Sequence, residues 1–172
     1  LMVADMNLAH RDGVSQDFQV DGDVARGWLN SEHKFFPLPN IFGGKSTEWH
    51  LKLNSRVRWD ITANTGVGDV TFDLSDLKVS DFELDTGVGS VKVTMPERGS
   101  VRAKVNGGVG DIRVTIPTGV EARIHVDRGL GNLNVGSRFK RRGDYYETED
   151  WDDAESYIDM QVDLGVGNVT IR

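Results

Sequence analysis

The chain has 172 residues, with 27 acidic residues against 20 basic residues and a formal charge of -7. This length is sufficient for one domain with a sizeable core. The negative charge speaks against nucleic acid as a partner, because phosphate binding requires a basic face. The absence of cysteine excludes disulfides and thiolate metal sites. No apolar run approaches the roughly 18 residues of a membrane span, so we expect membrane attachment only through a segment absent from this chain.

Residues 1–44 are irregular, and we predict that they form an N-terminal cap or extension. Weak alternation between Val14 and Trp28 is broken by Asp21-Gly22-Asp23, which predicts a hairpin of two short strands. The apolar segment 35–44 contains two prolines and therefore cannot be a central strand. We expect it to cover the open end of the repeat that follows. A binding loop centred on its phenylalanines is the alternative.

Residues 45–172 contain a repeated Gly-x-Gly motif that is followed each time by a short polar residue. The first four copies are spaced by 21 residues and the fifth follows after 36. A fixed period of this size indicates a stacked repeat. The residues that we assign to structural turns are Gly66, Gly68, Asp69, Gly87, Gly89, Gly108, Gly110, Asp111, Gly129, Gly131, Gly165 and Gly167.

Apolar residues recur in six columns when the chain is written in rows of 21 residues. Three columns run through Trp49, Val70, Val91, Ile112, Leu133 and Val169; Leu51, Phe72, Val93, Val114, Val135 and Ile171; and Leu53, Leu74, Met95 and Ile116. The other three run through Trp59, Ser80, Val101, Ala122 and Ile158; Ile61, Phe82, Ala103, Ile124 and Met160; and Ala63, Leu84, Val105, Val126 and Val162. Alternation at period two within each row predicts two short, half-buried strands per row.

The columns predict an all-β fold, a short β-helix-like solenoid of about five 21-residue coils. Equivalent strands of successive rows would lie parallel and in register, about 4.8 Å apart. A meander of hairpins is the alternative arrangement. The columns favour the coil, because like residues stack above one another only when equivalent strands are neighbours.

The Gly-x-Gly motif is interpreted as the corner between strands. We expect positive φ at its glycines, with Val67, Val88, Val109, Leu130 and Val166 pointing inward. The polar residues after the motif would bond to backbone N–H groups at the turn. A second polar column precedes the motif at Asn64, Asp85, Asn106, Asp127 and Asp163. A weak site for a hard cation such as calcium is the functional alternative at these carboxylates, but we predict no metal site and no cofactor.

An insertion of 15 residues, the difference between the spacings of 36 and 21, interrupts the repeat at about residues 137–153. It carries a basic half and an acidic half with aromatic residues between them. Insertions in repeat proteins often form the binding face, and aromatic residues beside arginines favour interfaces. The candidate interaction loop comprises Arg138, Lys140, Arg141, Arg142, Tyr145, Tyr146 and Trp151. A solvated excursion whose two halves neutralise each other is the alternative.

No catalytic constellation is recognisable in the sequence. The four histidines, His10, His33, His50 and His125, lie far apart, and none belongs to a zinc-binding pair. His50 and His125 fall between buried positions and are expected to face outward. No serine lies in a nucleophile-elbow motif. A polysaccharide-cleaving enzyme remains an alternative because carboxylates are plentiful, but we predict no catalytic residues.

The rows resemble the toast-rack domain. The resemblance rests on residues 49–54, 57–62 and 65–75, on Leu77, on Asp85-Thr86-Gly87-Val88-Gly89-Ser90-Val91, and on Val169-Thr170-Ile171-Arg172. The domain is similar to the C-terminal region of LiaF-type envelope-stress proteins, and the resemblance covers about residues 45–172. It implies a bacterial, strand-rich solenoid that is usually tethered to a membrane and is implicated in envelope stress. It offers no catalytic residues.

We therefore expect a non-enzymatic interaction or sensing module of the cell envelope, extracytoplasmic or membrane-tethered, with a cytoplasmic location as the alternative. Its expected partner is another protein or a second copy of itself. The alternative function is structural, with solenoid ends stacking into oligomers or filaments. Its motivation is that Arg172 ends the chain one strand after the last motif, which would leave an exposed edge.

Overall fold

The computed structural model describes residues 3–7, 13–21, 24–32 and 48–172, with side chains from residue 51 onward. The strands are Val3–Asn7 (β1), Gly13–Asp21 (β2), Val24–Glu32 (β3), Glu48–Lys52 (β4), Arg58–Val67 (β5), Val70–Asp73 (β6), Lys78–Val88 (β7), Val91–Thr94 (β8), Val101–Thr115 (β9), Glu121–Leu130 (β10), Leu133–Val135 (β11), Lys140–Arg142 (β12), Tyr145–Glu147 (β13) and Tyr157–Ile171 (β14). One turn of 3-10 helix spans Trp151–Asp153. The all-β class is therefore confirmed.

Each copy of the Gly-x-Gly motif lies at a corner of the fold. We call the strand before a corner and the strand after it one rung. Rung 1 is β5 and β6, rung 2 is β7 and β8, and rung 4 is β10 and β11. Rungs 3 and 5 are the single long strands β9 and β14, which continue through the corner. The expectation of two separate strands per row is therefore wrong for these two rungs.

Equivalent strands of neighbouring rungs pair in parallel and in register, as the columns predicted. The order of the rungs differs from the order of the chain. β14 pairs with β9 on one side and with β10 and β11 on the other, so the rungs lie in the order 1-2-3-5-4. Ile171 therefore lies between Val114 and Val135. The expected open edge beside Arg172 is wrong, because the last strand is internal.

The core lies between the inward columns of the rungs. Its fully buried side chains include Phe82, Leu84, Ile112, Ile124 and Ile158. One predicted column is shifted by a residue: a bulge aligns Trp59 with Val79 rather than with Ser80. Val79 is buried and Ser80 is only half-buried. The bulge explains why a serine interrupted an otherwise apolar column.

Strands β2 and β3 lie at the rung 1 end of the ladder. β2 and β3 pair antiparallel, which confirms the predicted hairpin, and β3 pairs in parallel with the beginning of β5. β4 pairs antiparallel with β1 in a separate two-stranded sheet. The expected stacking of Trp49 and Leu51 on Val70 and Phe72 is therefore not the pairing that β4 forms. The apolar segment 35–44 and the phenylalanine-centred loop predicted there lie outside the described residues.

Candidate functional site

The middle residues of the Gly-x-Gly motifs form an exposed apolar row, which we call the corner ridge. In spatial order it consists of Val67, Val88, Val109, Val166 and Leu130. The expectation that these side chains point inward is wrong. The three central members are 45–49% exposed, and the terminal members Val67 and Leu130 are 84% and 72% exposed. At the corner these side chains extend beyond the buried columns that precede and follow the motif in each rung.

The glycines allow the corners to stack closely. A Cβ atom on Gly108 would overlap the backbone oxygen of Gly87, and the same overlap recurs along the ladder. The second glycine of every motif has positive φ, for example +145° at Gly110, a conformation that side-chain-bearing residues rarely adopt. The expectation of positive φ is therefore wrong for the first glycine of each motif. From Gly87 onward, close approach of the neighbouring corner, rather than backbone conformation, requires glycine at that position.

Short polar side chains after the motif form the hydrogen bonds that the sequence predicted. Asp69 Oδ1 accepts a bond of 2.9 Å from the backbone N–H of Ser90. Asn168 donates both its backbone N–H and its Nδ2 to Asp111 Oδ1, at 3.2 and 2.8 Å. Asn132 bonds in the same way to Asn168. A side chain thus ties rung 1 to rung 2, rung 3 to rung 5 and rung 5 to rung 4, whereas a backbone bond from Gly89 N to Val109 O joins the corners of rungs 2 and 3.

An open groove of about 780 Å³ runs across the five rungs immediately before the ridge. Its lining consists of the three residues that precede each ridge residue, at positions 64–66, 85–87, 106–108, 163–165 and 127–129. Asn106 Nδ2 donates to Asp85 Oδ1 at 2.5 Å, and Gln161 Nε2 donates to Asp163 Oδ2 at 2.8 Å. The groove therefore combines polar, partly acidic groups with the aliphatic ridge at its side.

The cation alternative at the corner carboxylates gains no support from the structure. Within the described part of the chain, no group of three or more His, Asp or Glu side chains is arranged to hold a metal ion. Asp69 and Asp111 instead accept hydrogen bonds from the neighbouring rung.

The insertion forms a hairpin of β12 and β13, which we call the end hairpin (residues 140–147). β13 pairs antiparallel with Arg123–His125 of β10, so the end hairpin covers the first half of rung 4. Thr148 extends this contact: its N–H donates to Ala122 O at 3.0 Å, and its Oγ1 accepts from Ala122 N at 2.8 Å. Phe139 is buried in the core and anchors the insertion.

The basic and aromatic residues predicted as an interaction loop divide into two groups. Tyr146 packs against the core, and Arg138 donates from Nη2 to Val120 O at 2.9 Å. Burial lowers the pKa of Arg138. Lys140, Arg141, Arg142 and Tyr145 are exposed. These four exposed side chains are accessible to a partner, whereas Arg138 and Tyr146 are engaged in contacts within the fold.

A cluster around Arg123 fixes the hairpin to the outer face of rungs 4 and 5. The guanidinium lies 5.2 Å from the ring centre of Tyr145 and 4.8 Å from that of Trp151. Its Nη2 donates to Asp159 Oδ2 at 2.7 Å, and this hydrogen bond raises the pKa of Arg123. His125 faces outward, as expected, and lies against Tyr145. Trp151 is thus a structural contact of the cluster.

Strand alternation does not predict the corner ridge as a surface feature. Alternation along β9 assigns Val109 to the same face as Val105, which is fully buried. The flanking glycines were the available signal, because they mark where the chain leaves the regular strand.

The fold and corner geometry define an all-β repeat protein whose rungs are joined by tightly stacked glycine corners. The chain belongs to the toast-rack family: residues 15–115 match the model for the N-terminal domain of toast_rack. A crystal structure of a putative cell adhesion protein from Clostridium sporogenes is similar in fold, with a TM-score of 0.78 and 23% sequence identity. The similarity covers 94% of this chain and 76% of that chain. No match was found among curated protein sequences.

In residues 48–172 and the described N-terminal strands, no helix is long and apolar enough to cross a membrane.

Proposed function

We propose that this protein is a non-enzymatic interaction module of the cell envelope, and that the corner ridge and its groove form the binding face. The observation that carries the proposal is the row of five exposed aliphatic side chains beside an open groove. Contiguous exposed apolar surface bordered by polar groups marks interaction sites in soluble proteins. Envelope association is supported by the toast-rack family and by the cell-adhesion description of the similar structure.

The form of the surface favours an elongated partner. The ridge residues follow one another at the spacing of neighbouring strands, about 4.8 Å. The groove residues repeat at the same spacing, so each rung offers nearly the same set of contacts. A partner of extended shape can occupy several rungs at once, and its affinity then arises from many weak contacts. In the envelope-stress role that the toast-rack resemblance implies, binding of such a partner to the corner ridge would be the signal.

The exposed residues of the end hairpin are a second contact surface within the same proposal. Lys140, Arg141 and Arg142 present positive charge at the rung 4 end. This surface is suited to an anionic polymer or protein. It is separable from the ridge by mutation.

The test is co-sedimentation of the purified chain with isolated bacterial cell envelopes. The variant Val88→Ser/Val109→Ser removes two central ridge side chains, and we expect binding to fall about thirtyfold, since each half-exposed valine contributes on the order of 1 kcal/mol when buried. The matched control is Lys92→Ser/Arg113→Ser, which changes exposed residues of the same rungs away from the ridge. A third variant, Lys140→Ser/Arg141→Ser, reports on the end hairpin.

Unchanged binding by the ridge variant would remove the ridge from the proposal. Loss of binding only in the hairpin variant would move the binding face to the rung 4 end. Absence of binding by the unaltered chain would contradict envelope association.

Self-assembly is a second candidate function, and one observation favours it. The edge strand that the sequence placed beside Arg172 is instead β11, on the outer side of rung 4.

A further inference from the structure

The outer side of rung 4 is covered over only half of its length. Beneath the end hairpin, Ala122 and Ile124 are fully buried. Beyond it, Leu133 and Val135 are only half-buried, as are Val70 and Phe72 of rung 1 at the other end of the ladder. Their column equivalents in the internal rungs 2, 3 and 5 are at most 1% exposed. These equivalents are Val91, Val93, Ile112, Val114, Val169 and Ile171. The apolar core is therefore open at β11.

The backbone of β11 is also unpaired on this side within the described residues. β11 pairs in parallel with β14 alone. Asn132 O accepts from Val169 N at 2.9 Å, and Gly136 N donates to Ile171 O at 2.8 Å. Because alternate residues of a parallel strand bond to the same side, Leu133 and Val135 direct their N–H and C=O groups to the open edge. Such an edge is a template for another strand.

We propose that β11 pairs antiparallel with β11 of a second copy of this chain, about a twofold axis at Asn134. Leu133 of each copy then lies opposite Val135 of the other. These are the residues with outward-directed backbone groups, so the pairing forms four N–H···O bonds. The side chains of Leu133 and Val135 lie on the core side of the sheet, and the pairing closes the open ends of two cores against each other.

A second copy of this chain is favoured as the partner because β11 is complementary to itself: the same three residues, 133–135, form both sides of the contact. The apolar face of Leu133 and Val135 meets itself with reversed direction, and the exposed Asn134 meets Asn134 of the second copy. The end hairpins do not obstruct this contact, because antiparallel pairing places the hairpin of the second copy on the opposite side of the axis. Isologous twofold contacts are also the commonest in soluble oligomers.

Head-to-tail stacking into filaments is disfavoured by the other end of the ladder. There β3, with its partner β2, pairs with the beginning of β5. Within the described residues, β6 of rung 1 is also paired on one side only. In a head-to-tail stack, however, the end hairpin beside β10 and the β2–β3 hairpin beside β5 would both lie between the first halves of the two rungs. β11 could then not reach β6 at the spacing of paired strands.

The first experiment uses the absence of native cysteine. In the proposed dimer the two Asn134 residues form a non-hydrogen-bonded pair, whose Cα atoms lie about 4.5 Å apart, within reach of a disulfide. Asn134→Cys should therefore give a disulfide-linked dimer under mild oxidation. The matched control is Thr71→Cys, at the exposed equivalent position of rung 1, which should remain monomeric. Absence of a cross-linked Asn134→Cys dimer would overturn the proposal.

The second experiment measures the monomer–dimer equilibrium by analytical ultracentrifugation. Asn134→Lys and Asn134→Glu each place like charges opposite each other, and each should weaken dimerisation about fivefold or more. Mixing the two variants should restore a heterodimer, an effect that a merely structural role of Asn134 would not produce. Thr71→Lys should leave the equilibrium unchanged.

Three results would overturn the proposal: a monomer at all concentrations, open-ended growth that Thr71→Lys blocks, or no restoration on mixing. The readout is the assembly state alone, so its failure is distinguishable from failure of envelope binding by the corner ridge.

Discussion

Asn168 Nδ2 donates a hydrogen bond of 2.8 Å to Asp111 Oδ1, although 57 residues separate the two in the chain. The bond joins rung 5 to rung 3, so rung 4 is displaced to the end of the ladder. The last strand thereby fills a gap that the chain leaves between rungs 3 and 4. Because β14 lies between rungs 3 and 4, rung 4 is the end of the ladder. The end hairpin covers the first half of rung 4, and the second half is open.

Close stacking of the corners predicts an asymmetry between two glycines of one column. Gly108→Ala places a Cβ against the backbone oxygen of Gly87, whereas a Cβ on Gly66 meets no described atom within 4 Å. Neither has a positive φ in the range that disfavours a side chain. We expect Gly108→Ala to lower the free energy of unfolding by about 1–3 kcal/mol and Gly66→Ala to change it by less than about 0.5 kcal/mol. Urea denaturation measures both, and equal losses would contradict the stacking explanation.

Thr148 is predicted to hold the end hairpin region to rung 4 through its hydroxyl. Its Oγ1 accepts from the Ala122 N–H at 2.8 Å in a buried setting. Thr148→Val keeps the shape but leaves that N–H without its side-chain acceptor, and we expect a loss of about 1–3 kcal/mol in the free energy of unfolding. Thr148→Ser retains the hydroxyl and should lose less. Amide hydrogen exchange at Ala122 is the local measurement, and unchanged protection in the valine variant would argue against this role.

The columns of the sequence predicted the parallel register because each strand must bury the same face at the same spacing. Val91, Ile112 and Val169 do lie side by side. The order of the rungs was not predictable, since every rung presents nearly the same columns and any order satisfies them. The 15 additional residues before β14 give the chain the length to return between rungs 3 and 4.

The candidate site was predictable only in its framework. The corner glycines and the short polar residues that follow them, such as Asp69 and Asn168, are predicted by local turn chemistry. The exposure of Val109 depends on how far the corner extends beyond the core, which alternation along a strand does not encode. The position of the end hairpin over β10 depends on a tertiary contact between Phe139 and the core. That contact could not be predicted from the sequence, because the insertion around Phe139 is mostly charged.

Asp73 predicts a dependence of stability on pH. Hydrogen bonds from Ser75, with Oγ donating at 2.7 Å and the backbone N at 3.2 Å, lower the pKa of Asp73. A carboxyl with a lowered folded-state pKa stabilises the fold above its unfolded-state pKa and loses that contribution as pH falls through the folded value. Asp73→Asn should therefore be less stable than the unaltered chain at neutral pH. The difference should begin to shrink near the unfolded-state pKa of about 4 and should disappear as pH falls through the lower folded-state pKa of Asp73. The thermal midpoint as a function of pH measures this, and a constant difference would contradict it.

The internal position of β14 predicts unequal effects of truncating two residues in one column. Ile171 is fully buried between Val114 and Val135, whereas Val135 is half-buried at the edge. Ile171→Ala should leave a cavity that neighbours on both sides cannot fill, at a cost of about 2–5 kcal/mol. Val135→Ala removes fewer atoms from a site already open to water, so we expect a cost of about 1 kcal/mol or less. Urea denaturation at low protein concentration, where self-association does not contribute, measures both. Similar costs would indicate that β14 lies at an edge.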